Sequence, residues 1–190
     1  PGSRTSRFPL PESGIDAAIG YSEESGIPYQ KGIVKNTYIG RTFIKPTQSE
    51  RERSVRLKLN PISSEVKGKR IVMLDDSIVR GTQLGETTEF LYKSGAKEVH
   101  VRPACPPITF ACPYLNFSRS TSDLDLITRR IIRDREGDNV SQETLADYTD
   151  PDSQNYKEMV EEIRRRLGFT TLRFHRLDDL IESIGIDPCK

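Results

Sequence analysis

The stretch of chain that decides the fold is Leu74-Asp75-Asp76-Ser77-Ile78-Val79-Arg80-Gly81-Thr82. The apolar run over residues 71–74 is typical of a buried strand, and it stops at two adjacent carboxylates. A turn of small residues follows, and a helical pattern begins near Thr82. The stretch therefore predicts a strand–loop–helix unit with acidic residues at the carboxyl end of the strand.

A loop that joins a strand to a helix N-terminus is well suited to bind phosphate. Its unpaired backbone N–H groups and the dipole of the helix both favour an anion. The carboxylates of Asp75 and Asp76 can hold ribose hydroxyls or a divalent cation such as Mg²⁺. The alternative is that these acids only cap the helix, as a single Asp often does. Two acids, a Ser, a Gly and a Thr in one short loop favour a sugar-phosphate site.

The loop and two segments before it resemble one enzyme family. The three segments are residues 34–44, 56–60 and 75–82, in that order. The last segment alone is similar to the phosphoribosyl pyrophosphate (PRPP) signature of type I phosphoribosyltransferases. Together the segments resemble amidophosphoribosyltransferase, also called glutamine PRPP amidotransferase, from about residue 9 to residue 117 and more faintly beyond. The resemblance implies the first committed step of purine synthesis, in which ammonia displaces pyrophosphate from C1 of PRPP.

Strand and helix patterns alternate along the chain, which favours a parallel sheet with right-handed crossovers. Strands are predicted at residues 32–34, 69–74 and 98–102, helices at residues 14–24, 50–59 and 82–93, and a long loop at residues 35–48. The expected fold class is α/β: a type I phosphoribosyltransferase-like parallel sheet flanked by helices, with a small C-terminal helical extension. Ligands of such sheets lie beyond the carboxyl ends of the strands, where Asp75 and Asp76 fall.

The chain is expected to divide near residue 122. Residues 1–122 would form part of the phosphoribosyltransferase core, and residues 123–190 a C-terminal helical region. That region is predicted to contain a helix at residues 124–132, a mobile connection up to residue 156, and short amphipathic helices at residues 157–167 and 177–184. Residues 3–7 are polar, so the strand that should precede Pro9 is expected to be disordered or altered. Nothing resembles the family's N-terminal glutaminase domain, which is expected to be absent from this chain.

The resemblance assigns roles to the residues around the loop. Asp75 and Asp76 would hold the ribose hydroxyls and, with Ser13, a Mg²⁺ ion. The 5′-phosphate would be bound by backbone N–H groups and by the Ser77 and Thr82 hydroxyls. The complete phosphate loop comprises Ser77, Ile78, Val79, Arg80, Gly81 and Thr82.

Two further segments would contact the pyrophosphate group of PRPP. The first is a pyrophosphate loop that contains Glu12, Ser13 and Gly14. The second is the loop over residues 35–48, which in this family closes over PRPP and excludes water. It supplies the candidate catalytic residues: Lys35 and Arg41 would contact pyrophosphate, and Tyr38 would line the path of ammonia.

Three cysteines, Cys105, Cys112 and Cys189, are an odd number at wide spacing and make a poor disulfide framework. Some members of the family carry a [4Fe–4S] cluster, and by resemblance Cys112 and Cys189 are candidate ligands for it. Such a cluster normally needs four thiolates, and this chain does not supply a full set in the usual positions. Either the chain is cut short or the cluster is absent.

Composition limits the classes of partner. The chain has 190 residues and a net charge of +1, which implies neither a nucleic-acid partner nor a membrane surface. No apolar stretch approaches the roughly 18–20 residues of a membrane span, and residues 1–7 lack the apolar core of a signal peptide. A cytoplasmic protein is expected. The family implies PRPP, ammonia or glutamine, a glutaminase domain, purine nucleotides as inhibitors, and a homodimer or homotetramer.

Two other functions stay open. A different PRPP-dependent base phosphoribosyltransferase would share the phosphate loop, carry a base pocket, and turn over a base such as hypoxanthine or orotate. A non-catalytic sensing module would bind PRPP or nucleotides without releasing pyrophosphate in the presence of ammonia.

Overall fold

The apolar run before the two carboxylates is a central strand of a parallel sheet. A computed structural model of the chain describes residues 5–9, 13–35, 59–110 and 123–185. Its strands are β1 (Thr5–Pro9), β2 (Ile33–Lys35), β3 (Leu59–Pro61), β4 (Arg70–Asp75), β5 (Glu98–Pro103) and β6 (Thr171–Leu172). Its helices are α1 (Ile15–Ser25), α2 (Ser63–Val66), α3 (Thr82–Lys93), α4 (Ile127–Glu136), α5 (Gln142–Asp147), α6 (Gln154–Leu167) and α7 (Leu177–Ile184), with a 3₁₀ turn at Asp123–Asp125.

The main sheet has the strand order β1-β4-β5-β6, and each neighbouring pair is parallel. A separate two-stranded antiparallel sheet joins β2 to β3. Parallel neighbours need crossover connections, and α1 and α3 are the helices that follow β1 and β4 along the chain. The predicted α/β class, with a parallel sheet flanked by helices, is confirmed.

Both faces of β4 are buried, which explains its uninterrupted apolar sequence. On one face, Ile71 and Met73 belong to a large hydrophobic cluster with residues of β5, α3, α4 and α6. On the other face, Val72 and Leu74 pack with Ala18 of α1. Each fully buried Ile, Leu or Met contributes roughly 1.5–3 kcal/mol, so the position of β4 is strongly determined.

The C-terminal helices share the large cluster with the sheet. β6 pairs with β5, which makes the end of this region part of the sheet itself. The expected division near residue 122 stays a prediction, but the two parts are in direct contact. The members of the cluster that lie after residue 122 are Ile127, Ile131, Ile132, Leu145, Tyr148, Met159, Ile163, Phe169 and Leu172.

Three local predictions differ from the structure. Residues 5–9 form β1 in place of a disordered end, because parallel pairing with β4 satisfies the backbone of this polar strand at the sheet edge. The predicted mobile connection contains α5, whose first turn is capped by the Ser141 hydroxyl accepting from the Thr144 N–H. Leu59, predicted as the end of a helix, pairs with Lys35 in the small sheet. The rest of that helix and most of the loop at 35–48 lie outside the described residues.

In the part of the chain that the structure describes, no helix combines the length and the apolar character needed to cross a membrane.

Candidate functional site

The loop between β4 and α3 presents unpaired backbone donors. Gly81, just before α3, has φ +77° and ψ −14°, a left-handed conformation that a glycine adopts without strain. Among the described residues, none accepts a hydrogen bond from the backbone N–H groups of residues 78–82. α3 runs for 12 residues behind this loop, so the helix dipole adds to the attraction for an anion.

The two carboxylates at the end of β4 differ in their surroundings. Asp75 is only 5% exposed, and its Oδ1 accepts from the Ser13 hydroxyl at 3.3 Å and from the Asp76 N–H at 3.0 Å. Asp76 is exposed, and its Oδ1 accepts from the Ser77 N–H at 2.7 Å. Burial raises the pKa of Asp75 to about 7, and the neighbouring Asp76 carboxylate adds to the rise. A cation at this position would return Asp75 to its charged form.

The carboxylates of Asp75 and Asp76 and the hydroxyl of Ser13 fit a Mg²⁺ ion that is shared with a ligand. Proteins usually hold Mg²⁺ through one or two carboxylates, with water and substrate phosphates completing the octahedron. The described residues contain no cluster of three or more His, Cys, Asp and Glu side chains that would form an all-protein cage. In the described structure, the neighbouring backbone N–H groups donate to the Oδ1 atom of each Asp.

Gly14 brings Ser13 to Asp75 through a very close approach to β4. A Cβ atom placed on Gly14 would lie 2.3 Å from the carbonyl oxygen of Leu74 and 3.2 Å from the Cα of Asp75. Real Cβ atoms essentially never come so close to a backbone atom. Glycine is therefore required for the turn at residues 13–14, just before α1, to lie against the end of β4.

The start of α4 supports the phosphate loop from behind. The Ile127 N–H donates to the Val79 carbonyl at 2.9 Å, and Nη2 of Arg130 donates to the Arg80 carbonyl at 2.6 Å. The Arg80 side chain points to this same region, where its Nη2 lies 2.7 Å from Oδ2 of Asp125. Sequence reasoning missed these partners because they lie 45 to 50 positions from the loop and follow no local motif.

We expect Gly81→Ala to destabilise the protein by roughly 1–3 kcal/mol. The left-handed φ disfavours any side chain, and the new Cβ would lie 2.9 Å from Cδ1 of Ile127 and 3.0 Å from the Leu167 methyls. Urea denaturation measures the difference in unfolding free energy. The matched control is Gly85→Ala, because Gly85 lies inside α3, where helix propensity favours Ala over Gly. The new Cβ there would lie 3.4 Å from Cδ2 of Leu167, an ordinary contact distance. Equal stability of the two variants would contradict the observed packing of the loop.

The remaining predicted site residues are Lys35 and five residues outside the described part of the chain. Lys35 is the last residue of β2 by its backbone, while nothing is described of its side chain. The residues that lie outside the described part of the chain are Glu12, Tyr38, Arg41, Cys112 and Cys189.

Cys105 lies close to the acid pair. Its Sγ–H donates to the Pro106 carbonyl at 3.3 Å, and burial together with the Asp76 and Asp75 carboxylates raises the pKa of its thiol to about 11. The thiol is therefore protonated at neutral pH and is a poor nucleophile.

Comparison with known proteins places the chain beside one group of enzymes, although no protein-family model matches it. The chain is 44% identical over 178 residues to the amidophosphoribosyltransferase of Methanothermobacter thermautotrophicus, covering 94% of this chain and 31% of that protein. It is 41% identical over 176 residues to the Bacillus subtilis amidophosphoribosyltransferase, covering 93% and 31%.

Two solved structures are similar in fold. One is described as the allosteric regulatory enzyme of purine biosynthesis, with a TM-score of 0.71, 39% identity, and coverage of 95% of this chain and 33% of that one. The other is glutamine PRPP amidotransferase from B. subtilis complexed with ADP and GMP, with a TM-score of 0.70, 38% identity, and coverage of 97% and 34%. The chain spans about a third of the length of these relatives, and the resemblance predicted from its residues is confirmed.

Proposed function

We propose that this chain, which is similar along nearly all its length to a third of an amidophosphoribosyltransferase, forms the PRPP-binding part of such an enzyme. In the reaction, the nitrogen of ammonia forms a bond to C1 of PRPP while the bond from C1 to the pyrophosphate oxygen breaks. The products are 5-phosphoribosylamine, free pyrophosphate and a proton. The ammonia would come from glutamine through a glutaminase domain that the relatives' additional length can accommodate.

The observation that carries this proposal is the loop of N–H groups, without an acceptor among the described residues, directly beside two carboxylates. The N–H groups of residues 78–82 suit the 5′-phosphate, and the hydroxyls of Ser77 and Thr82 can add hydrogen bonds. The Asp75 and Asp76 carboxylates suit the ribose hydroxyls, which are hydrogen-bond donors. A phosphate and a ribose are adjacent in PRPP, as the loop and the acids are adjacent in the chain.

The Mg²⁺ ion of the proposal would be held by Asp75, Asp76 and Ser13, with the remaining ligands from PRPP and water. When bound, it supplies charge compensation for the pyrophosphate that leaves. Because burial raises the pKa of Asp75 to about 7, the ion would displace a proton from this side chain below that pH. The turn at Gly14 keeps the Ser13 hydroxyl within reach of Asp75.

The chemistry at C1 needs positioning, charge compensation and exclusion of water more than covalent help. We assign pyrophosphate binding to Glu12, Ser13 and Gly14, and candidate catalytic contacts to Lys35 and Arg41. We assign Tyr38 to the path of ammonia. These assignments come from the resemblance, and they stay predictions.

Further partners are also proposed from the relatives. The B. subtilis enzyme was solved as a complex with ADP and GMP, so we propose purine nucleotides as inhibitors here. A homodimer or homotetramer in the cytoplasm is the expected state. An iron–sulfur cluster through Cys112 and Cys189 remains conditional on ligands beyond this sequence, because two thiolates do not complete it.

Calorimetric titration with PRPP in the presence of Mg²⁺ tests the binding site. We expect binding by the parent protein and roughly ten- to hundredfold weaker binding by Asp76→Asn, because a charged hydrogen-bond acceptor and metal ligand is lost. Asp138→Asn is the matched control, since it makes the same change at an exposed residue after α4 and should leave PRPP affinity unchanged. No binding by a folded parent protein, or equal binding by Asp76→Asn, would overturn the site assignment.

A pyrophosphate-release assay separates the functions that share this site. Release with ammonia as the sole acceptor supports amidophosphoribosyltransferase chemistry. Turnover with hypoxanthine or orotate would favour a base phosphoribosyltransferase instead. PRPP binding without pyrophosphate release under any of these conditions would favour either a sensing role or a need for the rest of the enzyme. The same assay on the full-length protein would decide between these two.

A further inference from the structure

We infer that the start of α4 aims the phosphate loop at its ligand, and that Arg130 is a positioning residue for binding of the 5′-phosphate. The inference rests on the proposed function, because it assumes that the loop binds that phosphate. It adds residues from the C-terminal helical region to a site whose other assigned residues all lie at or before Thr82 in the sequence.

Two successive carbonyl groups of the loop point away from the anion site. The Val79 carbonyl accepts from the Ile127 N–H at 2.9 Å, and the Arg80 carbonyl accepts from Nη2 of Arg130 at 2.6 Å. In a planar trans peptide, the carbonyl of one residue and the N–H of the next point in opposite directions. The N–H groups of Arg80 and Gly81 are therefore directed away from α4, and in the described structure neither has an acceptor.

The bond from Arg130 is needed because Gly81 permits the opposite orientation. Rotating the peptide between Arg80 and Gly81 by half a turn changes ψ of the first residue and φ of the second. Glycine adopts positive and negative φ with similar ease, so the backbone itself does not prevent this rotation. A rotated peptide would present the negative end of its dipole to the phosphate and withdraw one donor.

The supporting helix is itself held firmly in place. The Thr128 hydroxyl is buried and donates to the Ile108 carbonyl at 2.6 Å. Ile127 and Ile131 belong to the large hydrophobic cluster. Arg130 thus contacts the loop from a fixed position, and the Arg80 side chain, paired with Asp125, is kept on the same side.

The test compares two ligands that report on different parts of the site. Ribose 5-phosphate probes the phosphate loop, and inorganic pyrophosphate with Mg²⁺ probes the opposite end of the PRPP site. We expect Arg130→Met to bind ribose 5-phosphate about tenfold more weakly than the parent protein and to bind pyrophosphate equally well. Arg130→Lys, which retains a cationic donor, should show a smaller loss. Arg133→Met, one turn along α4 and exposed, should match the parent protein for both ligands.

Each outcome decides the question. Unchanged affinity of Arg130→Met for ribose 5-phosphate overturns the inference while leaving the proposed function standing. Equal weakening for both ligands also overturns it, because that pattern indicates general damage to the fold. If circular dichroism shows that Arg130→Met is unfolded, the affinities of Arg130→Lys for the two ligands decide instead. A loss of affinity for ribose 5-phosphate alone supports the inference, and an equal loss for both ligands overturns it. A folded parent protein that binds neither ligand overturns the proposed function, and the inference falls with it.

Discussion

A Gly14→Ala protein is expected to lose roughly 3 kcal/mol or more of stability together with its affinity for PRPP. The methyl group would have to occupy a position 2.3 Å from the Leu74 carbonyl oxygen, and this neighbour is backbone of a buried strand that cannot move aside. The turn would move instead, which would separate Ser13 from Asp75. Urea denaturation and calorimetric titration with PRPP and Mg²⁺ measure the two effects.

Gly20→Ala provides the matched control for this substitution. Gly20 lies in the middle of α1, and among the described residues no atom outside the adjacent helix backbone lies within 4 Å of the Cβ position. Because glycine weakens a helix relative to alanine, this variant should gain about 0.5–1 kcal/mol. If Gly14→Ala proved as stable as the parent protein, the close approach of the turn to β4 would be disproved.

An Asp75→Asn protein is expected to be more stable than the parent at pH 8 in Mg²⁺-free buffer, although it binds PRPP poorly. Burial raises the pKa of Asp75 from 3.8 in the unfolded chain to about 7 in the folded protein. Between these values the folded state holds one more proton than the unfolded state, so the stability of the parent falls as pH rises from about 4 to about 7. Asn carries no charge at any pH and escapes this loss.

The stability gain of Asp75→Asn should therefore grow with pH and level off above about pH 7, reaching a few kcal/mol at roughly 1.4 kcal/mol per pH unit. Urea denaturation at pH 5, 6, 7 and 8 measures it. Gly20→Ala changes no charge and supplies the baseline, since its effect should be the same at every pH. Parallel stability curves for Asp75→Asn and the parent would mean that Asp75 does not titrate in this range.

Stability and function are opposed at Asp75. A buried carboxylate without a cation weakens the fold, yet the same burial makes the group a strong acceptor for a cation or a hydroxyl. Mg²⁺ added together with PRPP should stabilise the parent protein because a ligand that binds only the folded state shifts the unfolding equilibrium.

The secondary structure was predictable where a single local pattern determined it. The run before Asp75 is apolar throughout because both faces of β4 are buried, and α3 begins and ends at the predicted residues 82 and 93. The polar sequence of β1 does not predict a strand, because this segment is held in place by its pairing with β4. β6 is only two residues long and is held by hydrogen bonds to β5, so no periodicity could reveal it.

The candidate site was predictable only in its contiguous part. Residues 75–82 follow one another along the chain, and their chemistry can be read directly from the sequence. The resemblance assigns Ser13 and Asp75 to one Mg²⁺ site, which stays a prediction; the hydrogen bond between their side chains is a finding of the structure. The support from Asp125, Ile127 and Arg130 depends on tertiary packing, as does the raised pKa of Asp75.

The support of the phosphate loop by α4 has a consequence for synthesis of the protein. A ribosome completes the loop and β5 well before it adds Arg130, which follows Arg80 by 50 positions. β6 is added later still, and the Thr170 hydroxyl just before it accepts from the Val99 N–H, 71 positions earlier. A nascent chain that carries the whole phosphate loop therefore still lacks the donors that orient it, and its ligand can assist folding only after the C-terminal helices have emerged.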